Sequence, residues 1–169
     1  MSVLDAVAIS PLTLPMTSKL HIQESNAIQI GSLGWSNPAW VESFYPADMP
    51  EEWRLTYFNT QFNCVFLERA FWRQASPADL TQWYEDTHEK FLFLLEGEAL
   101  SAPAELREKA LMIQPGDVRI LWFVRDTSLK ELAAALSGNA GEIPRFLISR
   151  DGDLGQLDRV ATLLEVMGL

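Results

Sequence analysis

Charged residues stand directly after four apolar runs in this sequence, where they could bind a ligand or take part in a reaction. The four places are Leu67-Glu68-Arg69, Leu95-Glu96, Val124-Arg125-Asp126 and Ser149-Arg150-Asp151. If the runs are parallel strands, their carboxyl ends open on one face of the sheet, which is where α/β proteins bind ligands. The pattern therefore predicts a small-molecule pocket at that face. Ordinary salt bridges between polar loops are the alternative.

Glu68 and Glu96 are the candidate catalytic residues. They follow consecutive apolar runs, and neighbouring parallel strands would place them roughly 5–10 Å apart. Two carboxylates at that distance can share a proton, flank a glycosidic bond or bind a divalent metal ion. A hydrolase or isomerase acting on a small sugar or a phosphorylated ligand would use them as its acid and base.

Three arginines at the same strand ends are candidate ligand-binding residues. Arg69, Arg125 and Arg150 carry planar guanidinium groups that could hold a carboxylate or a phosphate through two parallel hydrogen bonds. The acids that stand beside them, among them Asp126 and Asp151, could instead neutralise them as internal ion pairs. The sequence favours internal pairing somewhat, and all five residues are candidates for lining the pocket.

Aromatic residues follow the first two apolar runs. Trp35, Trp40 and Tyr45 come after the first run, with Ser36 beside them, and Trp72 comes after the second. One interpretation is a ligand pocket in which these rings stack on a sugar or a base. The other is an apolar plug that covers the mouth of the sheet.

The cysteine and the histidines are not expected to form a site. Cys64 lies inside an apolar run without a neighbouring His or Lys, which is typical of a small core residue and not of a nucleophile. His21 and His88 are far apart in the sequence, whereas a metal site needs several ligands on one compact scaffold. The sequence therefore predicts neither a metal ion nor a cofactor.

Short apolar runs alternate with helical patterns along most of the chain. The strand candidates are residues 27–33, 63–68, 91–97, 118–124 and 145–150, and the helix candidates are 50–62, 76–86, 103–112, 128–136 and 156–167. The runs are continuous and not alternating, as expected of parallel strands that are covered on both faces. This order predicts an α/β fold of five strand–helix units with a mostly parallel sheet.

Charge and composition limit the partners of the protein. Residues 1–26, interrupted by Pro11 and Pro15, are expected to form an extended arm, and residues 27–169 a single α/β domain. The formal net charge of −10 repels phosphate backbones and anionic lipid surfaces. We find neither a signal peptide nor an apolar run of roughly 18 residues, the length of a membrane span. These features, with a single cysteine, predict a cytoplasmic protein that binds neither nucleic acid nor membranes.

The stretch IGSLGWSNPAWVESFYP, residues 30–46, resembles the opening signature of the YecE-like family, also called domain of unknown function 72. That signature reads approximately as a strand, Gly-Thr-Ser-Gly-Trp-Ser-Tyr-Pro, a second Trp and Phe-Tyr-Pro. The likeness continues to about residue 96. Members of the family are TIM-barrel-like proteins without an established activity, so the resemblance implies a fold of that kind.

Five positions depart from the family pattern. The resemblance implies Glu, Asn, Thr and Tyr where this chain has Phe66, Glu68, Ala70 and Trp72, and it implies Lys where the chain has Glu96. The loss of polar residues favours the apolar plug over the aromatic pocket. It also favours a family member whose activity is degenerate or absent.

The length of the chain predicts a shortened or open TIM-barrel-like architecture, because a closed barrel of eight strands needs roughly 200 residues or more and this chain has 169. An open barrel has two edge strands, which proteins normally cover. The arm could cover them, or a second copy of the chain could do so in a homodimer. Three functions therefore stay open: a non-catalytic protein with a small-molecule pocket, the hydrolase or isomerase, and a homo-oligomeric assembly module.

Overall fold

Six parallel strands form one sheet in the computed structural model, which describes residues 27–138 and 143–169. The strands are β1 (Gln29–Leu33), β2 (Cys64–Leu67), β3 (Leu92–Glu96), β4 (Ala110–Ile113), β5 (Ile120–Phe123) and β6 (Phe146–Ser149). Their order across the sheet is β4-β3-β2-β1-β6-β5, and each neighbouring pair is parallel. The α/β class with a parallel sheet is confirmed, and the predicted arm lies outside the described residues.

Five α-helices accompany the strands in the described ranges. They are α1 (Arg54–Gln61), α2 (Arg69–Trp72), α3 (Pro77–Glu85), α4 (Leu129–Leu136) and α5 (Leu154–Met167), with 3₁₀ turns at Pro38–Trp40, Glu51–Trp53 and Arg107–Lys109. The start of α3 shows how local sequence sets an element. The Ser76 hydroxyl accepts a hydrogen bond from the N–H of Asp79, and the Asp79 carboxylate accepts one from the N–H of Ser76. This capping box precedes a proline at the first helical position, as such starts often do.

The sheet is curled into a half-barrel. In a flat sheet β2 and β5 would lie roughly 14 Å apart, since β1 and β6 separate them and neighbouring strands are about 4.8 Å apart. The rings of Phe66 on β2 and Trp122 on β5 nevertheless have their centroids 4.7 Å apart in an edge-to-face contact. Only a strongly curled sheet brings these side chains together, in agreement with the predicted open, TIM-barrel-like architecture.

Both faces of the curled sheet are buried. Side chains alternate along each strand, so that one set points into the half-barrel and the other points outwards to the helices. The inner cluster consists of Cys64, Phe66, Leu94, Ile113, Ile120, Phe146 and Ile148, with Leu33, Leu92, Leu111 and Trp122 packed against it. The outer cluster contains Val65, Leu67, Phe93, Leu95, Phe123 and Leu147 together with helix residues such as Phe58, Leu80, Leu132 and Leu157. Burial on both faces explains why the apolar runs are continuous.

The helix predicted at residues 103–112 is wrong. The chain forms a 3₁₀ turn at Arg107–Lys109 and then enters β4, which pairs with β3 through Leu94 and Leu111. Ala, Leu and Met are good helix formers, but backbone pairing with β3 and burial inside the half-barrel outweigh that propensity. The sheet therefore has six strands instead of five. The chain does not repeat five strand–helix units, because no α-helix lies between β3 and β5.

The link between β4 and β5, residues 114–119, joins the two edges of the sheet. All six strands point in the same direction, so the link has to run back from the carboxyl end of β4 to the amino end of β5. The Arg119 guanidinium donates a hydrogen bond of 3.3 Å to the carbonyl oxygen of Met112 on β4. It also forms an ion pair with Asp117 inside the link. The chain itself thus bridges the gap between the two edge strands.

Lys109 attaches the start of β4 to the end of α3. Its ammonium group donates to the carbonyl oxygens of Tyr84 and Thr87, at 2.6 and 2.7 Å, and to the Thr87 hydroxyl at 3.1 Å. It also lies 4.1 Å from the centroid of the Tyr84 ring. The side chain is buried, and this burial lowers the pKa of the ammonium group. A cation near the carboxyl end of a helix also suits the helix dipole.

Candidate functional site

Along three of the strands, every second side chain points into the half-barrel, and each of these columns of side chains ends in a charged residue. The columns are Cys64-Phe66-Glu68, which runs along β2 and ends just after it, Leu92-Leu94-Glu96 within β3, and Phe146-Ile148-Arg150, which runs along β6 and ends just after it. Every second side chain along an extended backbone points the same way. The first two residues of each column point into the half-barrel, and the third therefore points toward its mouth. The pairing of β2 with β3 aligns Leu67 with Leu95. Glu68 therefore follows, and Glu96 ends, neighbouring strands at aligned positions.

These three residues line a cavity of about 740 Å³ at the carboxyl ends of the strands. Its apolar floor and walls are formed by Leu33, Phe66, Ile113, Ile120 and Trp122. Residues 114–118 of the link form its remaining side, between β4 and β5. A volume of several hundred Å³ lies within the range of small-molecule sites, and most of the accessible surface of this cavity is polar.

The carboxylates of Glu68 and Glu96 are largely uncommitted. Glu96 Oε1 accepts one long hydrogen bond, 3.4 Å, from the backbone N–H of Arg69. The Glu68 carboxylate forms no hydrogen bond or ion pair with any residue that the structure describes, and no arginine in those ranges forms an ion pair with Glu96. Both carboxylates can therefore contact a bound molecule.

Arg150 extends over the aromatic floor of the cavity. Its guanidinium carbon lies 4.1 Å from the centroid of the Trp122 ring, which is a cation–π distance, and that ring packs edge to face on Phe66. Among the described residues Arg150 forms no ion pair with Asp151. The guanidinium N–H groups can thus donate to a ligand.

Asp151 organises the loops at the carboxyl ends of β5 and β6. Its carboxylate accepts hydrogen bonds from the backbone N–H groups of Arg125 (2.8 Å) and Asp153 (3.2 Å) and from the Ser149 hydroxyl (3.3 Å). Burial alone would raise the pKa of this carboxyl group, but the hydrogen bonds outweigh it and hold the pKa below its usual range. The exposed Arg125 side chain lies 4.0 Å from the Asp153 carboxylate. Neither Asp151 nor Arg125 nor the exposed Asp126 lines the 740 Å³ cavity.

Asp117 lines the cavity from the link, but its charge is already neutralised. Arg119 donates to one carboxylate oxygen of Asp117 from Nε at 3.0 Å and to the other from Nη2 at 2.6 Å. These side-chain hydrogen bonds lower the pKa of Asp117, and the same contact raises the pKa of Arg119. Among the described residues that line the cavity, the charges left without an ion-pair partner are those of Glu68, Glu96 and Arg150.

Two of the predicted aromatic residues are buried outside the half-barrel. Trp40 stacks on Phe58, with ring centroids 6.0 Å apart, and donates from Nε1 to the carbonyl oxygen of Gly152 at 2.7 Å. The Tyr45 hydroxyl donates to the carbonyl oxygen of Trp35 at 2.6 Å, and burial raises the pKa of that hydroxyl. These rings hold the first loop against the helix layer and do not line the 740 Å³ cavity.

Arg69 and Trp72 support the carboxyl end of β3 from α2. Trp72 is buried, and its Nε1 donates to the carbonyl oxygen of Glu96 at 3.0 Å. Arg69 reaches Glu96 through its backbone N–H, while its exposed side chain lines a separate surface cavity beside Gly97. Both residues therefore position Glu96 and do not line the cavity within the half-barrel.

A second cavity of about 350 Å³ adjoins the first. Its lining includes Leu33, Phe66 and Glu68, which also line the larger cavity, and it includes Trp35, Ser36 and Phe71. The Phe71 ring is 47 % exposed and stacks on Trp83 with an interplanar angle of 6°. The edge of Trp35 also contacts the Phe71 ring, with centroids 5.8 Å apart. An aromatic surface therefore lies directly beside Glu68.

Sequence reasoning missed Trp122 and the link as parts of the site. Trp122 stands two positions after Ile120 in one apolar run, so the alternation of side chains along a strand is the signal that could have placed it on the inner face. The link could not be recognised, because the residues before it were predicted to be helical. Phe71 lies in the stretch that follows β2, and only the fold shows that its ring borders a cavity.

The reactive side chains outside the cavity have structural surroundings. Cys64 is fully buried in the inner cluster, and burial raises the pKa of its thiol. His88 is exposed at the amino end of β3 and lies 3.1 Å from the Asn63 side-chain oxygen. Within residues 27–138 and 143–169, no group of three or more His, Cys, Asp or Glu is placed to hold a metal ion. In the same ranges, no helix is both long and apolar enough to cross a membrane.

Comparison with known proteins identifies one family. The sequence profile described as Protein of unknown function DUF72 matches residues 29–117, which is more than half of the chain. The matched region contains β1 to β4, the two glutamates and the first part of the link. Searches of curated proteins and of solved structures found no match.

Proposed function

The chain belongs to the YecE-like family, domain of unknown function 72, and we propose that it binds a small polar molecule without transforming it. The ligand would occupy the cavity of about 740 Å³ at the carboxyl ends of the strands. The observation that supports this most is the apolar floor beneath Glu68, Glu96 and Arg150, whose charges no described residue neutralises. Such a combination gives a ligand both a hydrophobic contact and a fixed orientation.

Phe66 is the main reason to favour binding over catalysis. The family resemblance implies a Glu at this position, whereas the Phe66 ring packs against Trp122 in the floor of the cavity. A general acid or base has to reach the proton that it transfers, and an apolar ring cannot take that part. Ala70 likewise stands where the resemblance implies a hydroxyl group. A pocket altered in this way has fewer groups that could transfer a proton.

Thermal unfolding in the presence of a metabolite library tests the binding function, because a ligand of the native state raises the Tm by mass action. Val118 lines the cavity from the link and is 63 % exposed, so Val118→Trp narrows the cavity without entering the core. Val166→Trp, on the exposed face of α5, is the matched control. We expect at least one small polar compound to stabilise the native protein and Val166→Trp but not Val118→Trp. Failure of every compound, or equal effects on the two variants, would contradict the proposal.

Incubation of the protein with each bound compound separates binding from catalysis. We expect the compound to be recovered unchanged, as followed by NMR over many hours. Conversion that is abolished by Glu68→Gln and by Glu96→Gln would instead support the hydrolase or isomerase.

A further inference from the structure

The charges at the mouth of the cavity are separated into a negative side and a positive side. Glu68 and Glu96 follow neighbouring strands whose residues Leu67 and Leu95 are aligned. Arg150 follows β6, which lies on the other side of β1 from β2. The two sides are connected by two aromatic rings, because the Arg150 guanidinium lies over Trp122 and Trp122 contacts Phe66 edge to face beneath Glu68. One small molecule can therefore reach both.

Other ligand classes fit this arrangement less well. A divalent cation such as Mg²⁺ or Ca²⁺ takes six or more oxygen ligands. The mouth supplies two free carboxylates, and in the part of the chain that the structure describes no third His, Cys, Asp or Glu is placed to hold a metal ion with them. A phosphate dianion would meet two carboxylates for one guanidinium. A neutral sugar would offer hydrogen bonds from its hydroxyl groups but no counter-charge to any of the three charges. A ligand that carries both an ammonium group and an anionic group meets each charge with its opposite.

The adjoining cavity indicates what else the ligand carries. This cavity of about 350 Å³ begins at Glu68 and is bordered by the exposed ring of Phe71 and by Trp35. An apolar side chain attached close to the ammonium group would enter it and cover the Phe71 ring. Contacts of this kind between aromatic rings are favourable beyond the area that they bury.

We propose that the ligand is an α-amino acid with an aromatic or large apolar side chain. Its ammonium group lies between the carboxylates of Glu68 and Glu96, and its carboxylate accepts hydrogen bonds from the Arg150 guanidinium. Its side chain lies in the adjoining cavity against Phe71. This inference rests on the proposed function, because it assigns a ligand class to the same cavity.

Calorimetric titration with L-phenylalanine and matched analogues tests each contact. N-acetyl-L-phenylalanine lacks the ammonium group, L-phenylalaninamide lacks the carboxylate, and glycine lacks the side chain. Glu68 and Arg150 are exposed in the free protein and Glu96 is half-buried, so a bound ligand would cover these charges. We expect L-phenylalanine to bind and each analogue to bind at least roughly tenfold more weakly, because a covered charge that lacks its partner weakens binding strongly.

Single substitutions test the same contacts from the protein side. Glu68→Gln keeps the size of the side chain and removes its charge, and Arg150→Gln replaces the guanidinium group by a shorter, neutral amide. Each should weaken L-phenylalanine binding at least roughly tenfold. The matched controls are Glu98→Gln and Arg145→Gln, both at exposed positions that line neither cavity. They should change the affinity by less than about twofold, and circular dichroism shows whether each variant is folded.

The outcomes distinguish the inference from the proposed function. If L-phenylalanine does not bind but another compound stabilises the protein in a manner that Val118→Trp abolishes, the amino-acid inference is wrong and the binding function stands. If no compound binds in either assay, both are wrong. The inference is also wrong if the blocked analogues bind as well as L-phenylalanine, or if Glu68→Gln and Arg150→Gln leave its affinity unchanged.

Discussion

Gly152 lies where the loops after β1 and β6 meet, and its replacement by alanine should destabilise the protein. Its φ of 69° is left-handed, a conformation that costs a residue with a Cβ roughly 1–2 kcal/mol. A Cβ would lie 2.3 Å from Asn37 Nδ2 and 3.2 Å from the Trp40 ring. Displacing these side chains would break hydrogen bonds to the carbonyl oxygens of Asp151 and Gly152, worth about 1 kcal/mol each. We expect Gly152→Ala to lower the free energy of unfolding by about 2–4 kcal/mol.

Two other glycines separate these contributions. Gly34 has a φ of 71° but open space at the Cβ position, so Gly34→Ala should lower the free energy of unfolding by about 1–2 kcal/mol through backbone strain alone. Gly155 lies in the first turn of α5, where the nearest atom to a new Cβ would be 3.4 Å away. Alanine is the better helix former, and Gly155→Ala should stabilise the protein by roughly 0.5–1 kcal/mol.

Urea denaturation followed by circular dichroism gives the three free energies of unfolding. The structure predicts that Gly155→Ala is the most stable variant and Gly152→Ala the least stable. If Gly152→Ala loses no more stability than Gly34→Ala, the close packing of Asn37 and Trp40 on Gly152 is refuted. A destabilised Gly155→Ala would refute the described start of α5.

The remaining predictions concern a buried cation, an acid and the assembly state. Lys109→Met should lower the free energy of unfolding by about 1–3 kcal/mol, because two carbonyl oxygens and a hydroxyl lose their donor. The control Lys130→Met, at an exposed position, should change the free energy of unfolding by less than about 0.5 kcal/mol. Equal values for the two variants in urea denaturation would contradict the Lys109 contact. The folded-state pKa of Asp151 is below its ordinary value of 3.8, so its stabilising contribution is present above that value and is lost as the pH falls through the folded-state pKa. As the pH is lowered, the free energy of unfolding of Asp151→Asn should therefore fall less than that of the native protein. Parallel profiles of the free energy of unfolding against pH for the two proteins would argue against this. A homodimer through the arm or the sheet edges stays a prediction; light scattering would find twice the 19.1 kDa chain mass, and a monomer would exclude the assembly module.

The candidate site could be anticipated because each of its charges ends a strand. Glu68, Glu96 and Arg150 close apolar runs that are long enough for a strand and too continuous for a surface strand. Parallel strands end on one face, so the convergence of these residues follows from the class of fold. Their inward direction follows from counting two positions on from the buried residues, for example from Phe66 to Glu68.

Other features depend on tertiary contacts that no local pattern contains. The segment Ala110–Ile113 has the composition of a helix and becomes β4 because β3 offers an unpaired edge. Trp40 and Tyr45 follow β1 in sequence, as pocket residues often do, yet they turn outwards to the rings of the helix layer. Asp151 is taken up by backbone N–H groups and not by an arginine. Residue types alone do not distinguish these alternatives, since each is physically reasonable until the loops are placed.

A crystal structure of the protein grown with the most stabilising compound from the thermal screen tests the central claim most directly. We predict electron density for that compound between Glu68, Glu96 and Arg150, above the edge-to-face contact of Phe66 and Trp122. Arg150 paired with either glutamate across a closed mouth, with the compound bound elsewhere, would contradict it.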